Sequence, residues 1–220
     1  MNSNKKTARI AGVLYLLVGI FGGFAEGYLE PKMYVAGNAA ATVGNVVADL
    51  LDATFFIILA LVLYVLFKHV RESVARAMLV FVVIAVAITC LSALFEYEGL
   101  QVATGAVDMT SLGTAGSNAV VLLLLDAQHY GLLIAQIFFG LWLAPLGYLA
   151  YKSGWFPKTL GIVLIAACAS YLVDFLAAFL VPNVGKAIHS FATFLPTIAE
   201  PWMVLYLLVV GVRTQHNLKD

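Results

Sequence analysis

Residues 46–67 read VVADLLDATFFIILALVLYVLF. Both acids, Asp49 and Asp52, stand near the start, and no charged side chain occurs from Ala53 to Phe67. About 20 consecutive apolar residues cross the roughly 30 Å hydrocarbon core of a bilayer. Lipid offers no water to backbone N–H and C=O groups, and a helix pairs them all within one segment. The stretch therefore predicts a transmembrane helix, Val46 to Phe67.

Five more stretches satisfy the same rule: Ile10 to Tyr28, Ala77 to Phe95, Ala119 to Tyr151, Leu160 to Val181, and Thr197 to Val212. The expected fold is all-α, a polytopic integral membrane bundle of six transmembrane helices forming one domain over residues 1–220. Composition agrees. Of the 220 residues, 63% are apolar and 11% charged, and mean hydropathy is +0.98. A soluble domain carries about 25% charged residues. This excludes a soluble enzyme, a nucleic-acid binder and a disordered chain, and makes membrane lipid the expected partner. Lys5, Lys6 and Arg9 before an apolar run resemble a secretory signal. The run is long for one and lacks a small-x-small cleavage site, so it is read as an uncleaved first span. Cys90 and Cys168 lie inside apolar runs with no CxxC spacing, which argues against a disulfide framework or a cysteine zinc site.

The fourth stretch would be about 50 Å long as a straight helix. Pro145 removes one of its backbone donors, so a kink near Leu141 is predicted. Orientation follows from the basic residues. With the N-terminus in the cytoplasm, Lys5, Lys6, Arg9, Lys68, Arg71, Arg76, Lys152, Lys158, Arg213 and Lys219 fall inside, ten of the twelve. Only Lys32 and Lys186 fall outside, so both termini are expected to be cytoplasmic.

Acidic residues sort the other way. Glu72 and Asp220 are placed inside; Glu26, Glu30, Asp49, Asp52, Glu96, Glu98, Asp108, Asp126, Asp174 and Glu200 fall outside or in the outer half of a span. Asn45, Asp49 and Asp52 form one helical stripe, as do Asp126, His129 and Gln136. Gly19 and Gly23 make a GxxxG that would face the bundle and carry Glu26 inward. Intramembrane acids normally face the bundle interior or a wet cavity. The expectation is one outward-facing pocket lined by Glu26, Asp49, Asp52, Asp126, His129, Gln136, Asp174 and Glu200.

Plainer readings stand beside this. Glu26, Glu96 and Glu200 fit solvated boundary residues, Asp49 and Asp126 fit helix N-terminal acids, Asp52 and Asp174 fit interhelical hydrogen bonds, and His189 fits an exposed loop residue. Three functions suit the acids. They can bind or move a small ligand or cation. They can form a metal-dependent hydrolase, with His129, Asp126, Asp52 and Asp174 holding a divalent cation. Or they can serve only structure, in an accessory subunit. No HExxH, GxSxG, P-loop or GxGxxG occurs, so no catalytic residue is assigned.

Several phrases together carry a resemblance: RIAGVLYLL at Arg9 to Leu17, LDATFFIILALVLY at Leu51 to Tyr64, HYGLLIAQIFFGLWLAPLGYLAYKSGWFPKTLG at His129 to Gly161, and YLVDFLAAFLVP at Tyr171 to Pro182. The chain resembles the prokaryotic membrane family catalogued as domain of unknown function 4386. The resemblance implies a six-span helical protein and no catalytic residues. His129, Trp142, Pro145, Ser153, Pro157 and Asp174 are among the positions carrying it.

Overall fold

The computed structural model describes residues 3–29, 32 and 39–213. Glu30, Lys219 and Asp220, used above in sorting the charges, lie outside the described residues. Helix α1 spans Ser3–Phe24 and continues as a π-helical turn, Ala25–Leu29. Then come α2 (Ala39–Ala103), a 3-10 turn (Thr110–Leu112), α3 (Gly113–Leu141), α4 (Leu143–Ser153), α5 (Lys158–Leu180), α6 (Pro182–Ala192) and α7 (Phe194–Val209). No strand occurs among the described residues. Five segments are long and apolar enough to cross a membrane: Ser3–Leu29, Ala40–Ala103, Thr110–Ser153, Lys158–Leu180 and Asn183–Val209.

Six expected stretches thus map onto five segments, because α2 contains the second and third. Straight, its 65 residues would reach about 98 Å. It is not straight. Arg71 adopts φ −159°, ψ 101°, extended backbone inside an otherwise helical run. Across this break Tyr64 Oη donates to Glu72 Oε1 at 3.3 Å, and Asn45 Nδ2 donates to Glu96 Oε2 at 3.0 Å. In one straight helix those last two residues would lie about 77 Å apart. The arms of α2 therefore run antiparallel, and a single residue reverses the chain. The turn sequence FKHVRESVARA has neither Gly nor Pro and is rich in helix formers, so helical bonding resumes at once.

Helix α2 also runs eight residues past the expected end at Phe95, leaving only Thr104 to Met109 irregular before the 3-10 turn. The helical record between α3 and α4 is interrupted at Trp142, which keeps helical torsions (φ −67°, ψ −25°). Pro145 supplies no N–H for the Leu141 carbonyl. Helix α4 ends at Gly154, whose φ of +68° is the left-handed cap that favours glycine. Ser153 Oγ donates to the Ala150 carbonyl (2.9 Å) and accepts from Trp155 N–H (3.2 Å), closing the turn into α5.

The chain divides into two compact units. The first comprises residues 1–16, 55–85 and 136–220. Within it α4 packs on α5, and α5 on α6 and α7. Gly147 and Gly161 form the tightest approach: a Cβ at either would lie 2.6–2.7 Å from the other's carbonyl oxygen. Leu59, Leu63, Phe67, Met78, Leu146 and Leu164 fill this unit's interior, and buried Trp142 meets Phe56 and Tyr15 edge-on at 4.9 and 5.3 Å. The second unit comprises residues 17–54 and 86–135. Within it Gly44 lies against Leu29, Gly99 against Leu124 and Leu125, and Gly131 against Ser92. By sequence this unit holds eight acidic residues (Glu26, Glu30, Asp49, Asp52, Glu96, Glu98, Asp108, Asp126) and one basic, Lys32, a formal charge of −7.

Candidate functional site

Each unit holds its own buried polar groups. In the first, Glu200 on α7 accepts from Tyr15 Oη on α1 (2.7 Å) and from Tyr171 Oη on α5 (3.3 Å). One turn beyond Tyr171, Asp174 is 3% exposed, and its Oδ2 lies 2.9 Å from His189 Nδ1 on α6. Ser170 Oγ donates to the Ala192 carbonyl, a second tie between α5 and the end of α6. Lipid-embedded polar groups have no water to fall back on, so these bonds across helices fix which faces meet.

In the second unit Glu96 is fully buried on the second arm of α2. Its Oε2 accepts from Asn45 Nδ2, which also lies 3.4 Å from Asp49 Oδ2. Thr42, Asn45, Thr89, Ser92, Glu96 and Gln128 are all buried polar side chains of this unit. Asn45 Oδ1 and both amide atoms of Gln128 have no hydrogen-bond partner among the described residues. A buried polar atom left unpaired costs about 1–3 kcal/mol. Asp52 stands beside Gly22, where a Cβ would lie 3.4 Å from its Oδ1.

Several expectations are corrected here. Asp126 and His129 are exposed; the inward positions of α3 in this unit are Gln128 and Ala135, with Gly131 against Ser92. The reason is phase: Gln128 is one residue from His129, about 100° around the helix. Gln136 is half-buried and falls in the first unit. Glu26 is exposed, and so are Gly19 and Gly23, at which an added Cβ would meet nothing. Gly12, packed on Leu207 and Leu208, and Gly22 are the α1 glycines in close contact. Glu96 is no solvated boundary residue, because α2 continues past it. His189 is exposed as expected, but it stands on α6 rather than in a loop and meets Asp174.

Among the described residues no three His, Cys, Asp or Glu side chains group closely enough to hold a metal ion. The proposed divalent-cation ligands His129, Asp126, Asp52 and Asp174 are therefore not assembled. Two shallow surface hollows, about 310 and 240 Å³, lie along α1 beside Lys6, Arg9, Ile10, Val13 and Leu14 and beside Ile58, Leu61 and Val65. Neither includes a candidate residue. Outside the helices, Thr110 N–H donates to Asp108 Oδ1 at 2.9 Å and holds that carboxyl below the usual aspartate range.

The family model for a domain of unknown function, DUF4386, matches residues 10–211. The chain belongs to the DUF4386 family. An uncharacterized protein of Archaeoglobus fulgidus is 27% identical over 142 residues, covering 64% of this chain and 72% of that protein. No solved structure matches the chain. The DUF4386 match takes in α1 from Ile10 through α7, and so includes Tyr15, Asn45, Glu96, Gln128, Tyr171, Asp174, His189 and Glu200.

Proposed function

We propose that this DUF4386 chain spans the membrane six times with both termini cytoplasmic, and that its buried polar groups bind or move a small ligand or cation entering from the opposite side. The break at Arg71 supports six crossings, since it leaves Ala39 to Val70 and Glu72 to Ala103, each longer than the roughly 20 residues a span needs. In this reading α3 and α4 form one crossing that bends at Pro145. The ten-to-two sorting of basic residues supports the orientation.

One observation carries the functional part: Glu96 is fully buried, bonded to Asn45, in a unit with eight acids and one lysine. A charge within the bilayer costs about 2.5–3.5 kcal/mol on insertion scales, and such residues mark ion or substrate paths. The metal-dependent hydrolase reading has no ligand set to support it. Two experiments test the proposal. Reporter fusions at the C-terminus and at Gly105 should report cytoplasmic and external positions; a periplasmic C-terminus refutes the topology. Purified protein in liposomes should dissipate an imposed proton or sodium gradient, and Glu96→Gln should abolish this. Folded wild-type protein that dissipates neither gradient, and binds neither ion, leaves the accessory-subunit reading.

A further inference from the structure

We infer that the second unit holds a site for a monovalent alkali cation, sodium above all, between the two arms of α2 and α3, with Glu96, Asn45 and Gln128 supplying its oxygens. The inference rests on the reading above and names the ion and the residues.

Helix register places the three residues at one level. Gly99 faces Leu124 and Leu125, and Gly131 faces Ser92, so α3 runs antiparallel to the second arm of α2. By helical spacing, the level midway between those contacts holds Gln128 on α3 and Phe95 and Glu96 on the second arm of α2. Asn45, on the first arm, is bonded to Glu96 directly. Three helices therefore bring one carboxylate and two amides to the same depth. Gln128 is 1% exposed and Asn45 2%. Neither amide atom of Gln128 and not the Asn45 oxygen has a hydrogen-bond partner among the described residues. Such groups are ordinarily satisfied, by protein, water or an ion.

Chemistry selects the ion. Carboxylate and amide oxygens suit hard cations, and carbonyl oxygens can replace the hydration shell of an alkali ion. An anion is disfavoured by the unit's charge of −7, eight acids against Lys32. A divalent ion ordinarily draws on several carboxylates, and no three acidic, His or Cys side chains group together among the described residues. Glu96 beside two neutral amides, with Asp49 Oδ2 3.4 Å from the Asn45 amide nitrogen as the one other carboxylate at hand, matches a single positive charge better than a divalent ion. A proton on Glu96 is the competing occupant, and the test separates the two.

The protein is purified in detergent at constant ionic strength, with choline replacing the alkali ions. Glu96 is labelled with a hydrophobic carbodiimide, which attacks protonated buried carboxyls, and the labelled peptide is quantified by mass spectrometry. Sodium chloride should suppress labelling saturably in the wild type and raise the thermal midpoint, and choline chloride should do neither. Gln128→Met keeps the volume and removes both polar atoms; it should weaken sodium protection about tenfold or more. Labelling indifferent to sodium, lithium and potassium in the wild type overturns the proposal without any variant having to fold. A Gln128→Met protein that is as stable or more stable and keeps full sodium protection also overturns it, because water alone then occupies the place. If sodium has no effect while liposomes still show Glu96-dependent proton flux, the alkali site fails and the wider reading stands. If both are absent, both fail.

Discussion

Replacing Gly147 or Gly161 by alanine tests the packing that joins α4 to α5. A Cβ at Gly147 would stand 2.6 Å from the Gly161 oxygen, 2.9 Å from Ile165 Cγ1 and 3.0 Å from Leu164 Cβ. A Cβ at Gly161 would stand 2.7 Å from the Gly147 oxygen and 2.8 Å from Tyr151 Cβ. Optimal carbon contacts lie at about 3.5–4.0 Å, so the helices must part by about 1 Å. Apart from Ile165 Cγ1, the obstructing atoms are backbone or Cβ and cannot swing away. Overpacking of this kind costs about 1–3 kcal/mol, and alanine returns up to about 1 kcal/mol in helix propensity. Each single substitution should therefore destabilise by about 1–2 kcal/mol. Parting the helices once relieves both clashes, so the double variant should cost less than the sum, by at least about 0.5 kcal/mol. Unfolding in mixed detergent, followed by the fluorescence of Trp142 and Trp155, measures all three. Gly19→Ala, where the new methyl meets nothing, is the control and should be neutral or stabilising. If Gly147→Ala behaves like that control, or the double variant is strictly additive, the inferred close approach is wrong.

Asp174→Asn should leave the bundle folded but loosen α6 from α5, seen as faster amide exchange across residues 182–192 with little change elsewhere; uniform loss of protection would mean Asp174 serves the whole core. Trp142→Ala removes a buried ring held by Tyr15 and Phe56, and should cost about 3–5 kcal/mol in the same unfolding assay; a loss under 1 kcal/mol contradicts the packing. Asp108, held below its usual range by Thr110, adds stability to its turn above the pKa of an unfolded aspartate, and loses it as pH falls through the lower folded value. The Thr110 amide resonance should therefore titrate at more acidic pH than a free aspartate would dictate, and Asp108→Asn should flatten the curve.

The helices were legible because hydropathy over some twenty residues is a strong, additive signal. Their pairing was less so. A reversal at Arg71 carries no Gly or Pro, so nothing local marks the residue that leaves the helix. GxxxG names small residues but not the face that uses them, and α1 packs through Gly12 and Gly22 while Gly19 and Gly23 face outward. Glu96 read as a boundary residue only because the apolar run ends at Phe95; the helix does not end there. Gln128 was overshadowed by Asp126 and His129, yet Leu124, Gln128, Gly131 and Ala135 recur at helical spacing and mark the inward face. The pairing of Asp174 with His189 was beyond reach, since it depends on α6 doubling back beside α5, and no charge pattern announces that.

The bond from Tyr15 to Glu200 joins residues 185 positions apart. Gly12 against Leu207 and Leu208, and Gly211 against Lys5, extend the same seam between the first helix and the last. At about 5–20 residues per second a ribosome needs roughly 10–40 s to make that intervening chain. During this interval α1 waits with its tyrosine unmatched, until α7 supplies Glu200. A nascent chain stalled before α7 thus carries Tyr15 and Gly12 with their partners not yet made, and that is the form in which quality-control proteases or chaperones would meet it.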